Sequence, residues 1–334
     1  MRRLHDILKG KEALKLESET MPEWISPMLA TLTHDLRPRN GWIYEHKFDG
    51  ERCLAWRRAG RVTLYSRNRH ELNSTYPEVV AVLEAPGPDF ILDGEITAAR
   101  GDLSDFQLLQ KRMQLGDPQK AEQSGIAIFY NVFDLLHHDG YCLRALPQKA
   151  RKEALEKLID FPAPIHIART IRDWSPAFQK KICAMGWEGL IAKDTTAPYV
   201  SKRARTWLKY KCAMGQAFVI AGYTDPKNSR TGFGALLLGV YDDAGNLHYC
   251  GKVGTGFDDE LLAALSARMK PLEIDKPAFV DPPRQKKGIH WLKPVLVGEV
   301  GFSEWTSAGR LRHPRFKGLR DDKPATATRR EDPQ

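Results

Sequence analysis

Residues 42–67, WIYEHKFDGERCLAWRRAGRVTLYSR, constrain the fold most. Two β-rich runs are joined there through Arg58-Ala59-Gly60-Arg61, the pattern of an antiparallel hairpin. Further strand signals follow. DFILDGEITA carries β-branched and aromatic residues up to an Asp-Gly, and IAIFYNVFDLLHHDG is an apolar run long enough for a buried strand. The latter predicts a hairpin turn at His137-His138. GWEGLIAKD and TWLKYKC add two short strands. Helical spacing appears in FQLLQKRMQ and in PQKARKEALEKLI, which has Pro near its start.

After Cys212 the texture changes. QAFVIAGYTD, GALLLGVYDD, LHYCGKVGTG and VLVGEVGFSEWTSAG read as strands with Gly, Asp and Asn turns, and DDELLAALSARMK as one helix. Such a set fits a small β-barrel of OB-fold type, although spacing alone leaves a sandwich open. The expected class is therefore α+β, with antiparallel sheets and flanking helices followed by the barrel. Expected boundaries are a polar arm at 1–24, a first domain at 25–212, a barrel at 213–323 and a disordered tail at 324–334. A length of 334 residues agrees with about two domains at ~150 residues each.

Lys and Arg number 51 against 42 Asp and Glu, for a net charge of +9. An excess of base favours a polyanionic partner. No apolar run approaches the ~20 residues of a membrane span, and the charged start MRRLHDILKGKEALKLE lacks a secretory apolar stretch. The five cysteines are far apart and form no CxxC pair, so neither a disulfide framework nor a zinc site is expected. A reducing, cytoplasmic setting follows. The pairs Lys111-Arg112, Arg57-Arg58, Arg203-Arg205 and Lys286-Lys287 read as solvated charges.

The chemistry concentrates in Lys47-Phe48-Asp49-Gly50-Glu51-Arg52. Strand alternation puts Lys47 and Asp49 on one face. Gly50 permits a tight turn or a close backbone approach to a ligand, and Arg52 offers a bidentate grip on phosphate or carboxylate. Lysine, carboxylate and arginine converging on one pocket suit covalent nucleotidyl transfer; a surface hairpin is the plain alternative.

The wider sequence resembles the covalent nucleotidyltransferase superfamily of ATP-dependent DNA ligases, RNA ligases and capping enzymes. KFDGER is similar to its first motif, Ser66-Arg67 to the next element, and LDGEI with Glu95 to the third. NVFDLL with Phe133, EGLIAK from Glu188 to Lys193, WLKYK with Lys209 and Lys211, and LRHPRFKGLRDDK with Arg320 and Lys323 follow in the family's order. PMLATL, the stretch Phe106 to Gln110 and the GLRDDK ending narrow the resemblance to the ligase module of bacterial end-joining ligases, here expected in stand-alone form.

The resemblance implies a nucleotidyltransferase (adenylation) domain and an OB-fold, with ATP and a divalent ion, Mg2+ or Mn2+, as cofactors. Lys47 would be the nucleophile, its pKa lowered by Lys209, Lys211 and Arg52. Glu45 would read the adenine amine, with an exposed strand carboxylate as the plain alternative. Phe133 would stack on adenine, or be an ordinary core aromatic. Arg52 and Arg67 would hold ribose and the nick phosphate, Glu95 ribose or metal, and Glu188 metal. Lys193 belongs to the same nucleotide pocket. Lys209 and Lys211 would contact the α-phosphate. Arg320 and Lys323 would orient pyrophosphate, which requires their domain to close over ATP and swing away again. Asp49 would assist the lysine's proton or bind metal. The implied partner is nicked duplex DNA, gripped through its backbone without sequence readout. A Ku-like end-binding protein and a monomeric state are also expected. Rival readings are an RNA ligase or capping-type enzyme, and a non-catalytic DNA-binding relative.

Overall fold

The computed structural model describes residues 3–34, 36–100, 103–172, 174–212, 214–226, 231–284 and 287–331. The chain forms two compact units, 1–212 and 213–332.

The first unit is built on two sheets. The principal strands are β1 (Leu29–Leu32), β2 (Trp42–His46), β3 (Glu51–Arg58), β4 (Arg61–Ser66), β5 (Phe90–Arg100), β6 (Ile128–His138), β7 (Gly189–Asp194) and β8 (Arg203–Lys211). The larger sheet runs Glu17–Ser18, Tyr141–Cys142, β6, β5, β3, β4, and the smaller runs β1, β8, β7, β2. Pairing is antiparallel apart from β1 with β8 and Ile165–Ile167 with β6. The β3–β4 hairpin turns through Ala59 and Gly60, both at positive φ.

Among the helices flanking the sheets, the longest are α1 (Phe106–Met113), α2 (Gln148–Leu158) and α3 (Pro176–Ala184). Asp105 and Ser175 cap α1 and α3 by accepting from the backbone N–H of Leu108 and Phe178. One apolar cluster lies against the outer face of the larger sheet, with Cys53, Leu92, Tyr130, Leu109 and Leu155. A second joins the two sheets through Leu54, Trp56, Ile91, Leu136 and Trp207. A third packs Ile182 of α3 on Tyr44, Leu190, Ala192 and Leu208.

The second unit pairs β9 (Met214–Thr224), β10 (Leu236–Tyr241), β11 (Leu247–Val253), β12 (Ile289–Phe302) and β13 (Arg315–Leu319) in the order β11-β10-β9-β12, with Glu273–Ile274 and β13 both on β12. The helix α4 (Asp259–Met269) is capped by Asp258 and carries Asp259 and Glu260 in its first turn, where the helix dipole favours them. The expected barrel is an open sheet here: no pairing among the described residues closes it.

Several expectations are corrected. His137 and His138 end β6, and the turn falls on Asp139 and Gly140, both at positive φ. Arg57 and Arg112 are buried: Arg57 donates to the Gly87 and Pro88 carbonyls, and Arg112, 1% exposed, grips Glu78 and the Thr75 carbonyl. Arg203, Arg205 and Lys287 are exposed, while Lys286 lies outside the described residues. The N-terminal arm buries Leu4 and Leu8 in the first core cluster. Residues 324–331, read as disordered, bury Thr328 and bridge Tyr241 to Arg329; the last three residues lie outside those described. Cys183 and Cys212 form a disulfide, because α3 packs beside the end of β8 and brings two cysteines distant in sequence to a Cα separation of 5.0 Å. Cys53, Cys142 and Cys250 are free. No helix among the described residues is long and apolar enough to cross a membrane.

Candidate active site

The smaller sheet arranges its residues in rows. Across β2, β7 and β8 the register aligns Ile43, Lys193 and Trp207, then Glu45, Ile191 and Lys209. The next row holds Lys47, whose backbone N–H donates to Gly189, and Lys211, which pairs with Gly189. Cross-strand partners share a face, so five predicted site residues occupy one side. Alternation sends Tyr44, Leu190, Ala192 and Leu208 to the other side, into the core under α3. Gly189 is required in this last row, since a Cβ there would meet the Tyr210 carbonyl oxygen at 1.9 Å.

The larger sheet supplies the opposing wall. Arg52 on β3 lies opposite Glu95 on β5, which lies opposite Asn131 on β6. The Arg52 guanidinium is bidentate to Asp93 at 2.6 Å on each oxygen, and Asp93 also accepts from the Tyr199 hydroxyl at 2.7 Å. Phe133 sits beside a β-bulge between β5 and β6. Its ring centre is 4.7 Å from the Arg52 guanidinium and 4.6 Å from Lys193 Nζ, so it bridges the sheets. It is half-buried rather than sealed in the core.

The nucleophile candidate has a different setting from that expected. Lys47 Nζ donates to Glu188. Burial pulls its pKa down, but Glu188, Asp49 and Glu95 outweigh burial and hold Lys47 above its ordinary value. The sequence reading had Lys209, Lys211 and Arg52 lowering it. Glu188, Asp49 and Glu95 all lie close enough to Lys47 to act on its charge. His46 faces the other way, stacked on Trp187 with ring centres 4.0 Å apart. Burial lowers its pKa to about 4, against Glu188 and with help from Lys47.

Glu45 is not an exposed strand carboxylate. It is 2% exposed, and its oxygens accept from Lys152 and Lys193, each at 2.6 Å. Burial holds Lys193 below its ordinary pKa despite Glu45 and Asp134. Lys152 escaped the sequence reading, as did Asp93, Tyr199 and the bidentate Arg151–Asp134 pair at 2.8 and 2.9 Å. A signal existed for α2: its buried stripe Gln148, Arg151, Lys152 and Leu155 has helical spacing yet is mostly polar.

Glu188 and Glu95 are hard oxygen donors around Lys47, a set suited to magnesium, which takes one or two carboxylates and completes its shell with phosphates and water. Among the described residues no group of three or more His, Cys, Asp or Glu could hold a metal unaided. Arg67 lies in the turn after β4. Arg320 and Lys323 stand on the second unit, where Arg320 is bidentate to Asp322 at 2.7 Å and reaches Glu299 at 3.3 Å.

Residues 27–211 match the family described as ATP dependent DNA ligase domain, and residues 229–323 match the ATP dependent DNA ligase C terminal region. A multifunctional non-homologous end joining protein LigD of Pseudomonas aeruginosa is 37% identical over 94% of this chain. The chain spans only 37% of that relative's length. A DNA ligase of Hyperthermus butylicus is 33% identical over 96% of this chain and 59% of its own. A structure of mycobacterial DNA ligase D complexed with ATP and MES superposes with a TM-score of 0.68, at 31% identity over 92% of this chain and 98% of that one. With both family regions matched in order on a two-sheet unit and a following open sheet, the chain belongs to the ATP-dependent DNA ligases.

Proposed function

We propose that this chain seals 5′-phosphate/3′-hydroxyl nicks in duplex DNA at the expense of ATP. The observation that carries the reading is the shared face of Glu45, Lys47, Lys193, Lys209 and Lys211, opposed by Arg52, Glu95 and Phe133. In the first step Lys47 Nζ attacks the α-phosphate of ATP. Lys47 first gives up one proton of its ammonium, for which Glu188, already hydrogen-bonded to Nζ, serves as the acceptor. The nitrogen–phosphorus bond then forms, the bond to the bridging oxygen of pyrophosphate breaks, and the nitrogen loses a second proton to water. Lys209 and Lys211 steady the charge growing on the α-phosphate. Phe133 stacks on adenine and Glu45 accepts from its amine. Arg52 and Arg67 hold ribose and then the nick phosphate. A divalent ion, Mg2+ or Mn2+, would be held by Glu95 and, once it has passed its proton on, by Glu188, and would screen the charge of the triphosphate. Asp49 adds negative charge beside the lysine, and Arg320 and Lys323 receive the pyrophosphate.

AMP then passes from Lys47 to the 5′-phosphate of the nick. The 3′-hydroxyl attacks that phosphate and releases AMP, a far better leaving group than a phosphate oxygen. The net charge of +9 supports binding of duplex DNA through its backbone. Relatives described as non-homologous end joining proteins support a role in bacterial end joining. A Ku-like end-binding partner, a cytoplasmic setting and a monomeric state belong to the same proposal.

Incubation with α-labelled ATP and magnesium should leave label that survives denaturation but is released by hot acid, as a nitrogen–phosphorus bond requires, on the wild-type protein and none on Lys47→Ala. An intact mass one AMP heavier would show protein purified already charged. Wild-type protein that is folded, uncharged and unlabelled would overturn the reading. GTP beside ATP, and RNA beside DNA nicks, separate it from capping-type and RNA-joining relatives.

A further inference from the structure

We propose that Lys152 is a positioning residue that sets nucleotide choice by fixing the Glu45 carboxylate. The inference rests on the reading of Glu45 as the acceptor of the adenine amine.

Lys152 is buried on α2, away from the strands that carry the motifs. Its ammonium donates to Glu45 Oε1 at 2.6 Å and also to the Ala168 carbonyl. That carbonyl is itself fixed, since the Ala168 backbone N–H donates to Val132 on β6 at 2.8 Å. The helix is held in turn by the next residue: Arg151 is bidentate to Asp134 of β6 and donates to the Leu146 and Ala197 carbonyls. Lys152 is thus a short strut between two fixed points and one oxygen of Glu45. Lys193 holds the other oxygen at 2.6 Å.

An ionised carboxylate has about four lone-pair sites. With one lysine on each oxygen, Glu45 keeps acceptor capacity at a fixed angle. A buried acceptor so held rewards a ligand that brings an N–H and penalises one that does not. Released from Lys152, the carboxylate pivots toward Lys193 and the discrimination falls. The partners of Lys152 are Glu45 and the Ala168 carbonyl rather than Lys47, so the chemical step is expected to be spared.

The test uses the full chain and two nucleotides, ATP and purine riboside triphosphate, which lacks the 6-amine. Initial rates of Lys47 charging, followed by intact mass, give KM and kcat for each. In Lys152→Met the KM for ATP should rise about tenfold or more, as expected for a lost hydrogen bond to a charged group. Its kcat should stay within about threefold, and the KM for the analogue should not move. Should the methionine variant fail to fold, Lys152→Arg keeps the charge but not the single-nitrogen geometry. It should lower the preference for ATP by about threefold while circular dichroism matches wild type. Equal losses on both nucleotides, or no change on either, in whichever variant folds would overturn the proposal. Calorimetric binding of the same two nucleotides gives the same ratio without chemistry. A wild type that binds both but never charges would refute the ligase reading and leave the Lys152 comparison standing on its own result.

Discussion

At the residue scale, the molecule buries more charge than its sequence shows. KFDGER announced Lys47, Asp49 and Arg52 as reactive. It did not announce that Lys47 would be ringed by carboxylates, nor that Glu45 would sit between two lysines. Those partners come from strands and a helix remote in sequence, and no local pattern encodes them. Arg57 and Arg112 misled for a related reason, because a long basic side chain reads as solvated until a carbonyl or carboxylate is found beneath it. His138 gives a prediction at this scale. It is buried, neither ring nitrogen has a hydrogen-bond partner in the structure, and burial, with His137, lowers its pKa against the pull of Asp139. The unfolded chain therefore binds a proton below about pH 6.5 that the folded chain refuses. Stability must fall as pH drops through that value, by at most about 1.4 kcal/mol per pH unit from this group. His138→Phe should narrow the difference in unfolding free energy between pH 7.5 and 5.5. An unchanged difference in urea titrations would place the pH sensitivity elsewhere.

At the scale of elements, period and capping were readable wherever one face of an element decides its fate. The β3–β4 hairpin, α1, α2 and α4 all stand where the sequence puts them. Asp93-Gly94 stays inside β5 because tertiary packing overrides the turn preference of the pair. A Cβ on Gly94 would lie 2.5 Å from the Tyr130 ring, so the glycine makes room for an aromatic. Gly50 works in the same way. Expected to allow a tight turn or a close approach of backbone to a ligand, it also lets β3 approach β5: a Cβ there would meet the Ile96 carbonyl oxygen at 2.1 Å. Gly50→Ala should part these strands just where Arg52 faces Glu95. The expected cost is roughly 2 kcal/mol or more of stability, in the range of overpacking, together with most of the charging of Lys47. Thermal unfolding and the labelling assay on the same sample check both; wild-type behaviour in each would show that the sheets yield without consequence.

For the whole molecule, the change of texture near residue 212 marked the limit of a compact unit. The tail was less legible, since its charge density hides Thr328 and Ala325, which are buried. The apolar clusters of the first unit contain no residue beyond Trp207 or Leu208, so a chain ending at Cys212 should fold and unfold cooperatively. It would lack Arg320 and Lys323. Such a truncation should lose self-charging from ATP by about a hundredfold or more, the scale of removing transition-state contacts, while still sealing pre-adenylylated nicks to a measurable extent. Full charging by the truncated protein would show that the second unit is dispensable for the first step.

The rows on the smaller sheet carry a consequence for how such a chain tolerates change. Glu45 and Lys47 alternate with Tyr44 and His46, and the aromatic Tyr44 is anchored in apolar packing beneath. The strand therefore behaves like a reading frame. One residue inserted or deleted between 42 and 47 would swap the two faces, turning the lysine into the core and an aromatic toward the nucleotide. The fold's own intolerance of a charged core thus proofreads the placement of the nucleophile: a frame that is wrong for chemistry is also wrong for packing, and the chain would lose its structure before it could present a misplaced lysine.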